Sequence, residues 1–295
     1  MPSQMLNQAV SALLLIVFLS SLLGCLCFSL LLRRRINFTI PLALTCVFEI
    51  IGYAIRLSSV AGSWSAPSFV VVTIFLTIAP SFISMAMYTT IERTLEILGK
   101  EHSLIHPGWY VYLIWFDLAG LALQLVGLGL ALSGISSIAS LGPNADRGGG
   151  VVGIGIGLHG GTLVVFMVLF AVVLCQAFST YRRYGSRTTD MKLGSVDSGR
   201  VLTRRFKGYL IVITLAVVCL LVRDLYWSIG LMQSFTKANV GEPMFALLDG
   251  FVVAEAVLGL VVFHPAWTLV NSYKPEPEQQ GKELIGLGFH SNNFI

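Results

Sequence analysis

The chain has 295 residues, of which 55% are hydrophobic and only 12% are charged. A soluble domain carries about twice that charge fraction, so the composition excludes a water-soluble globule. The formal net charge of +4 is small, and its placement along the chain is more informative than its sum.

A bilayer-spanning helix needs about 20 predominantly apolar residues. Seven such blocks follow one another at 9–32, 36–57, 68–91, 109–132, 151–178, 209–232 and 243–270. Backbone groups at membrane depth must be satisfied internally, so each block is expected to be a helix. The predicted fold is an all-α, polytopic seven-transmembrane-helix bundle over residues 1–270, followed by a short polar tail, 271–295, expected to be disordered. The first block is too long for a signal peptide and has no basic stretch ahead of it, which predicts an uncleaved anchor.

Arg33, Arg34 and Arg35 follow the first block, and eight basic residues from Arg182 to Lys207 lie between the fifth and sixth. With Arg93, Lys100, Lys274 and Lys282, 15 of the 19 basic residues fall on one side. The positive-inside rule then predicts an external N-terminus and a cytoplasmic C-terminus. The basic loop 179–208 is expected either to meet anionic headgroups of the inner leaflet or to act only as topogenic charge. The five cysteines all lie inside apolar blocks, so packing is expected of them rather than a disulfide framework.

Several motifs fail on context. The stretch GIGLHG at 155–160 satisfies a dinucleotide-binding pattern, but no strand precedes it and the block continues as a membrane helix. Gly153, Gly157 and Gly161 recur every four residues, which predicts a smooth stripe for close helix packing. No P-loop occurs, so ATP is not expected to drive the protein through one. A retinal Schiff base is excluded because no membrane block contains lysine. His102 and His106, with His264 and Asp117, have the residue types of a zinc site like that of seven-helix lipid amidases. Pro107 breaks the local helix, however, and no segment supplies the remaining ligands. No metal, cofactor, catalytic residue or nucleic-acid partner is therefore expected.

The membrane blocks carry Glu49, Asp117, Asp224, Asp249 and Glu255 against Arg56 and Arg223. An ionised side chain at mid-bilayer costs about 2.5 kcal/mol or much more, so such groups are kept where they face a bundle interior or a wet cavity. Structural pairing of helices is one reading and a functional lining is the other. Glu49, Gly52, Tyr53 and Arg56 are spaced i, i+3, i+4 and i+7 and share one helix face. The acid and the arginine are about 10.5 Å apart along the axis, too far for direct pairing. Tyr53 lies between them as a candidate relay. Asp117 and Gln124, again seven apart, share a face with Gly120 and Gly127. Five acids against two bases leave carboxylates to be neutralised by protons or by a cationic guest.

These same residues resemble the fungal lipid-translocating exporters, a seven-helix family tied to aminocholesterol resistance and sphingoid long-chain base release. The resemblance rests on FEIIGYAIR at 48–56, APSFISMAMYTTIER at 79–93, FDLAGLALQLVG at 116–127, VRDLY at 222–226, GEPMFALLD at 241–249 and HP at 264–265. It covers roughly residues 42–270. The chain departs from the family pattern at Trp227 and Gly230, where an arginine and a glutamate are expected, near Ala246, where a tyrosine is expected, and at Gly161, where a glutamine is expected. The resemblance implies ATP-independent export of an amphiphile, such as a sphingoid base or a toxic sterol-like amine, across the plasma membrane. On this reading Glu49, Asp224 and Asp249 hold an ammonium group or exchange protons with it. Arg56 and Arg223 balance their charge or meet a polar headgroup, Tyr53, Gln124 and Tyr226 complete a polar lining with Asp117 and Glu255, and Pro80 gives helix three a hinge. The alternative is a seven-helix receptor or sensor for the same kind of ligand.

Overall fold

The computed structural model describes residues 2–32, 36–58, 66–133, 143–184, 200–233, 246–269 and 273–275. Helix α1 (Pro2–Leu32) packs on α2 (Ile36–Ser58), and α2 packs on both α3 (Ala66–Ile78) and α4 (Pro80–Leu98). Helix α5 (Val111–Ala131) lies along α6 (Pro143–Tyr184), α6 along α7 (Arg204–Gln233), and α7 along α8 (Val252–Val262). Contacts between α8 and α1 close the ring. Seven spans are long and apolar enough to cross a membrane, with α3 and α4 forming one of them, and this is the expected seven-helix bundle. Leucine, isoleucine, tryptophan and phenylalanine side chains cover its outside, as a lipid-facing surface requires. The chain is a multi-pass membrane protein.

The α3–α4 span is the most enclosed of the seven, and it is broken at Ala79. Pro80 has no N–H, so the carbonyl of Leu76, four residues earlier, loses its helical donor. Thr45 of α2 donates to the Ala79 carbonyl at 3.1 Å, pinning one side of the break. The span ends at Gly99, whose φ of 107° only glycine adopts freely and whose N–H caps the Leu95 carbonyl at 2.8 Å.

The last span opens with a π-helical turn over Ala246–Phe251 that runs directly into α8. A π turn inserts an extra residue per turn and so re-aims the side chains within it. Asp249 sits in that turn. Gly250, beside it, allows the close approach of α2, because an added Cβ there would lie 2.5 Å from the Tyr53 hydroxyl and 2.7 Å from Leu14.

The closest helix contact is between α5 and α6. A Cβ on Gly120 would meet the Gly155 carbonyl at 3.0 Å, and one on Gly155 would meet the Gly120 carbonyl at 2.6 Å. Gly127 and Gly148 approach each other's backbones in the same way. Each helix thus contributes two glycines seven residues apart, which lets the antiparallel backbones touch. This corrects the expected stripe. Gly157 and Gly161 look onto open space, and Gly153 meets only Leu231 at 3.9 Å. A period of four residues drifts round the helix by about 40° per step, whereas a period of seven stays on one face.

At the end of the bundle carrying most of the basic residues, two His-Pro pairs start helical turns. The His106 Nδ1 accepts from Gly108 N–H, and the His264 Nδ1 from Ala266 N–H, each at 3.2 Å. His264 opens α9 (Pro265–Thr268), reaches Thr39 at 3.3 Å and stacks between Phe28 and Phe38. Both histidines thereby serve as caps, and His264 and Asp117 do not share a site. Among the described residues no three histidine, cysteine or acidic side chains converge on a metal position. Cys25 and Cys46 are buried, Cys219 is half-buried, and Cys27 and Cys175 face outward; all are free thiols. At the same end β1 (Arg200–Leu202) pairs antiparallel with β2 (Tyr273–Pro275). The tail was expected to be disordered, but Tyr273–Pro275 of it is held against the chain that leads into α7. The remainder of loop 179–208 between residues 185 and 199, and the tail from 276, lie outside the described residues.

The glycine geometry separates two otherwise similar substitutions. Gly148→Ala is expected to destabilise the detergent-solubilised protein by about 1–3 kcal/mol through backbone overlap with α5. Gly161→Ala should leave the melting temperature unchanged. Equal melting curves for the two variants would contradict the packing described.

Candidate functional site

Helix α7 places Arg223 and Asp224 side by side, and both turn into the bundle because the neighbouring spans supply their partners. The Arg223 guanidinium is 1% exposed and makes bonds in three directions. Its Nε donates to Asp249 Oδ1 at 2.9 Å, and its Nη1 to Asp224 Oδ1 at 3.3 Å. Its Nη2 donates to the carbonyls of Leu76 and Thr77 at 3.2 and 3.1 Å. The first of those carbonyls is the one orphaned by Pro80. Arg223 therefore closes the backbone gap in α3–α4 while neutralising the acid from the π turn. Trp227, one turn further along α7, donates its indole N–H to the same Asp249 oxygen at 2.8 Å. The Arg223 guanidinium lies 5.7 Å from the centre of that indole ring, within cation–π range.

Asp224 extends the network toward α6. Its Oδ2 lies 2.7 Å from His159 Nδ1. On the other side of the ring, Nε2 is 3.2 Å from Ser84 Oγ and 3.9 Å from Asp117 Oδ2. Asp117 accepts hydrogen bonds from Ser84 of α4 and Thr162 of α6. Both hydroxyls also reach backbone carbonyls of their own helix, Ser81 at 2.8 Å and His159 at 2.7 Å. Tyr88 of α4 is tilted against Phe166, with ring centroids 5.0 Å apart, and its buried hydroxyl has no hydrogen-bond partner. Asp249, Arg223, Asp224, His159, Ser84 and Asp117 thus form one continuous polar chain joining five spans.

Glu49 stands apart from this pairing. Its carboxylate is 1% exposed and neither oxygen has a hydrogen-bond partner. It lies close enough to Asp249 and Arg223 to feel both charges. The Tyr53 hydroxyl, one turn along α2, is buried and unpartnered as well. Its ring stacks on Phe18 with centroids 5.9 Å apart. Tyr53 is therefore not a hydrogen-bond relay between Glu49 and Arg56, as the spacing suggested; it is clamped by α1 with its hydroxyl unused. Arg56 is half-buried at the end of α2. Gln124 is buried on the α5 face that meets α6, with its Oε1 unpartnered.

Two expected lining residues fall elsewhere. Glu255 is exposed on the outer side of α8, since six residues of helix turn it about 120° away from Asp249. Tyr226 is half-buried and packs edge-on against Trp227 without joining the network. The charge count of five acids against two bases omitted His159, which stands between two of those acids. Ser84, Thr162 and Trp227 were also missed. A sequence signal for part of this existed: Gly148, Gly155 and Thr162 are spaced by sevens, marking the α6 face that meets Asp117.

Residues 42–272 match the family model described as "RTA1 like protein". The chain belongs to the RTA1-like family. Among curated proteins it is similar to the sphingoid long-chain base transporter RSB1 of Saccharomyces cerevisiae, in strains Lalvin EC1118, JAY291 and ATCC 204508 / S288c, with 25% identity to each. Those alignments cover 80% of this chain and 66% of each relative, so this RTA1-like chain spans a little under two thirds of their length. No solved structure matches the chain.

The arginine hub makes a specific prediction. Arg223→Ala removes the cation that Asp249 and Asp224 share and should cost about 3–5 kcal/mol, as for other broken buried pairs. Arg223→Lys should recover little, since an ammonium cannot span the same three directions. Trp227→Phe removes one hydrogen bond and should cost only about 1–3 kcal/mol. Thermal melts of the three purified variants measure this order.

Proposed function

We propose that this protein moves an amphiphilic lipid bearing an amine, such as a sphingoid long-chain base, from one side of the membrane toward the other without ATP. Toxic sterol-like amines are cargo of the same chemistry, and their export would contribute to resistance. The observation that supports this most is the isolation of Glu49. Every other buried acid on the polar chain is met by a cation, a histidine or hydroxyl donors. An unpaired buried carboxylate is expensive, and a cargo ammonium supplies the charge and the hydrogen-bond donors that the fold withholds. The neighbouring Tyr53 hydroxyl offers a second polar contact, and the aromatic and aliphatic side chains around α1 and α2 suit an alkyl chain. The similarity to sphingoid-base transporters supports the same cargo class.

Asp249 and Asp224 are not direct amine ligands in this proposal, since Arg223 already holds both. Their role is to fix the guanidinium that faces Glu49. Arg223 and the break at Pro80 form the joint at which the α3–α4 span bends during transport. The protein acts as a transporter and not as an enzyme. It resides in the plasma membrane with its N-terminus outside and its C-terminus in the cytoplasm. The basic loop 179–208 then faces the anionic inner leaflet.

Glu49→Gln tests the cargo site, because this side chain makes no hydrogen bond that the fold requires. Loss of a charge-assisted bond worth about 1.5–3 kcal/mol should weaken amine handling by about ten- to a hundredfold. Cells expressing the variant at wild-type levels should lose tolerance to long-chain base. Tolerance equal to wild type would place the cargo elsewhere. For orientation, a cysteine introduced at residue 190 should resist a membrane-impermeant maleimide in intact cells and react after permeabilisation.

A further inference from the structure

Hydrogen counting around His159 gives a result that the lipid-transport reading does not require. The imidazole is 1% exposed and has a polar atom on each side: Asp224 Oδ2 at 2.7 Å from Nδ1 and Ser84 Oγ at 3.2 Å from Nε2. An ionised carboxylate only accepts, so Nδ1 carries a proton and donates to Asp224. Ser84 has a single proton, and both His159 Nε2 and Asp117 compete for it. If Ser84 donates to an ionised Asp117, Nε2 must itself donate to Ser84, and His159 is an imidazolium. If Ser84 donates to Nε2, then Asp117 must be protonated and donate to Ser84. Either arrangement holds one proton more than the neutral histidine with two carboxylates. The two differ by a shift of that proton from Nε2 through the Ser84 hydroxyl to Asp117. Without the extra proton, one contact would leave two acceptors facing each other.

The surroundings fit a site that gains and loses this proton. The groups facing His159 are Asp224 and Arg223 from α7, Asp117 from α5, Ser84 and Tyr88 from α4, and Thr162 on its own helix. Arg223 already offsets one of the three acids Asp117, Asp224 and Asp249, and the extra proton offsets a second. The two hydroxyls that bind Asp117 have alternative acceptors in the Ser81 and His159 carbonyls. They can turn away when Asp117 is protonated and turn back when it is not. Asp224 transmits the change, since one of its oxygens serves His159 and the other serves Arg223. Arg223 in turn grips the carbonyls at the break in α3–α4.

We infer that Asp117, Ser84 and His159 form a proton-binding site whose loading and release drive the exchange of lipid amine for protons across the membrane. Its coupling to lipid movement rests on the function proposed above; the proton site itself does not. When the proton leaves, Asp224 loses its imidazolium partner and takes a larger share of Arg223, loosening the guanidinium from the α3–α4 break. An opposing proton gradient then supplies the energy that ATP does not.

Two measurements on the purified full chain separate the claims. The first counts protons taken up in detergent with an indicator dye when the pH falls from about 8 to about 5, the interval in which histidine normally titrates. Wild type should bind about one proton more per molecule than the double variant Asp117→Asn/His159→Gln. Equal uptake by folded proteins overturns the proton site. The second follows a fluorescent long-chain base in proteoliposomes with and without a pH gradient. The gradient should drive accumulation in wild type. Ser84→Ala, which keeps both titrating groups and removes the bridge, should lose that accumulation; His159→Gln alone serves in the proton count if the double variant fails to fold. Movement in wild type that ignores the gradient, or gradient-driven movement in Ser84→Ala, overturns the coupling. Failure of wild type to move the probe under any condition overturns the lipid-transport reading and the coupling with it, while the proton count still decides the site.

Discussion

The bundle is organised around one guanidinium. Arg223 is fully enclosed in a membrane protein, where an unpaired charge is among the costliest features a fold can contain. It is retained because three separate deficits meet at its position. Pro80 leaves a carbonyl without a donor, the π turn of the last span delivers Asp249, and Asp224 on the same helix needs a counter-charge while it holds His159. One planar cation with five donors satisfies all of them. Every deficit lies on a different element, so the arginine fixes the relative positions of α3–α4, α7 and the last span together.

That arrangement also determines which acid remains available. Asp117, Asp224 and Asp249 are each occupied by protein donors, and Glu255 has been turned outward. Among the described residues, Glu49 is the buried carboxylate without a partner. The site is therefore defined less by a cluster of acids than by the exhaustion of their partners. Trp227 illustrates the economy of the network. Its indole N–H supplies a second donor to the Asp249 oxygen that Arg223 already holds.

The spans were legible because hydropathy is a local, additive property: seven apolar blocks imply seven helices whatever their packing. The polar face of α5, with Asp117, Gly120, Gln124 and Gly127, was legible for a similar reason, since helical periodicity fixes which residues share a side. The α6 stripe was misread because a four-residue glycine repeat and a seven-residue one overlap in the same glycine-rich run, and only the partner helix selects between them. His159 was passed over inside that run. A lone histidine there looks like part of a glycine motif until its two acidic neighbours, 42 and 65 positions away in the chain, are brought to its two ring nitrogens.

The sequence by itself determined a seven-helix membrane bundle of the RTA1-like family, the break at Pro80 and the presence of buried charge. These follow from composition, from periodicity and from the missing N–H of proline, none of which depends on distant parts of the chain. Tertiary structure alone decided which charges pair. Hydrogen bonds of about 3 Å require side chains from different spans to meet, and small rotations settle the outcome. Asp249 in the π turn meets Arg223, and the close α5–α6 contact at four glycines brings His159 to Asp117. Glu49 is left unpaired in that arrangement, which no pattern in the sequence announces.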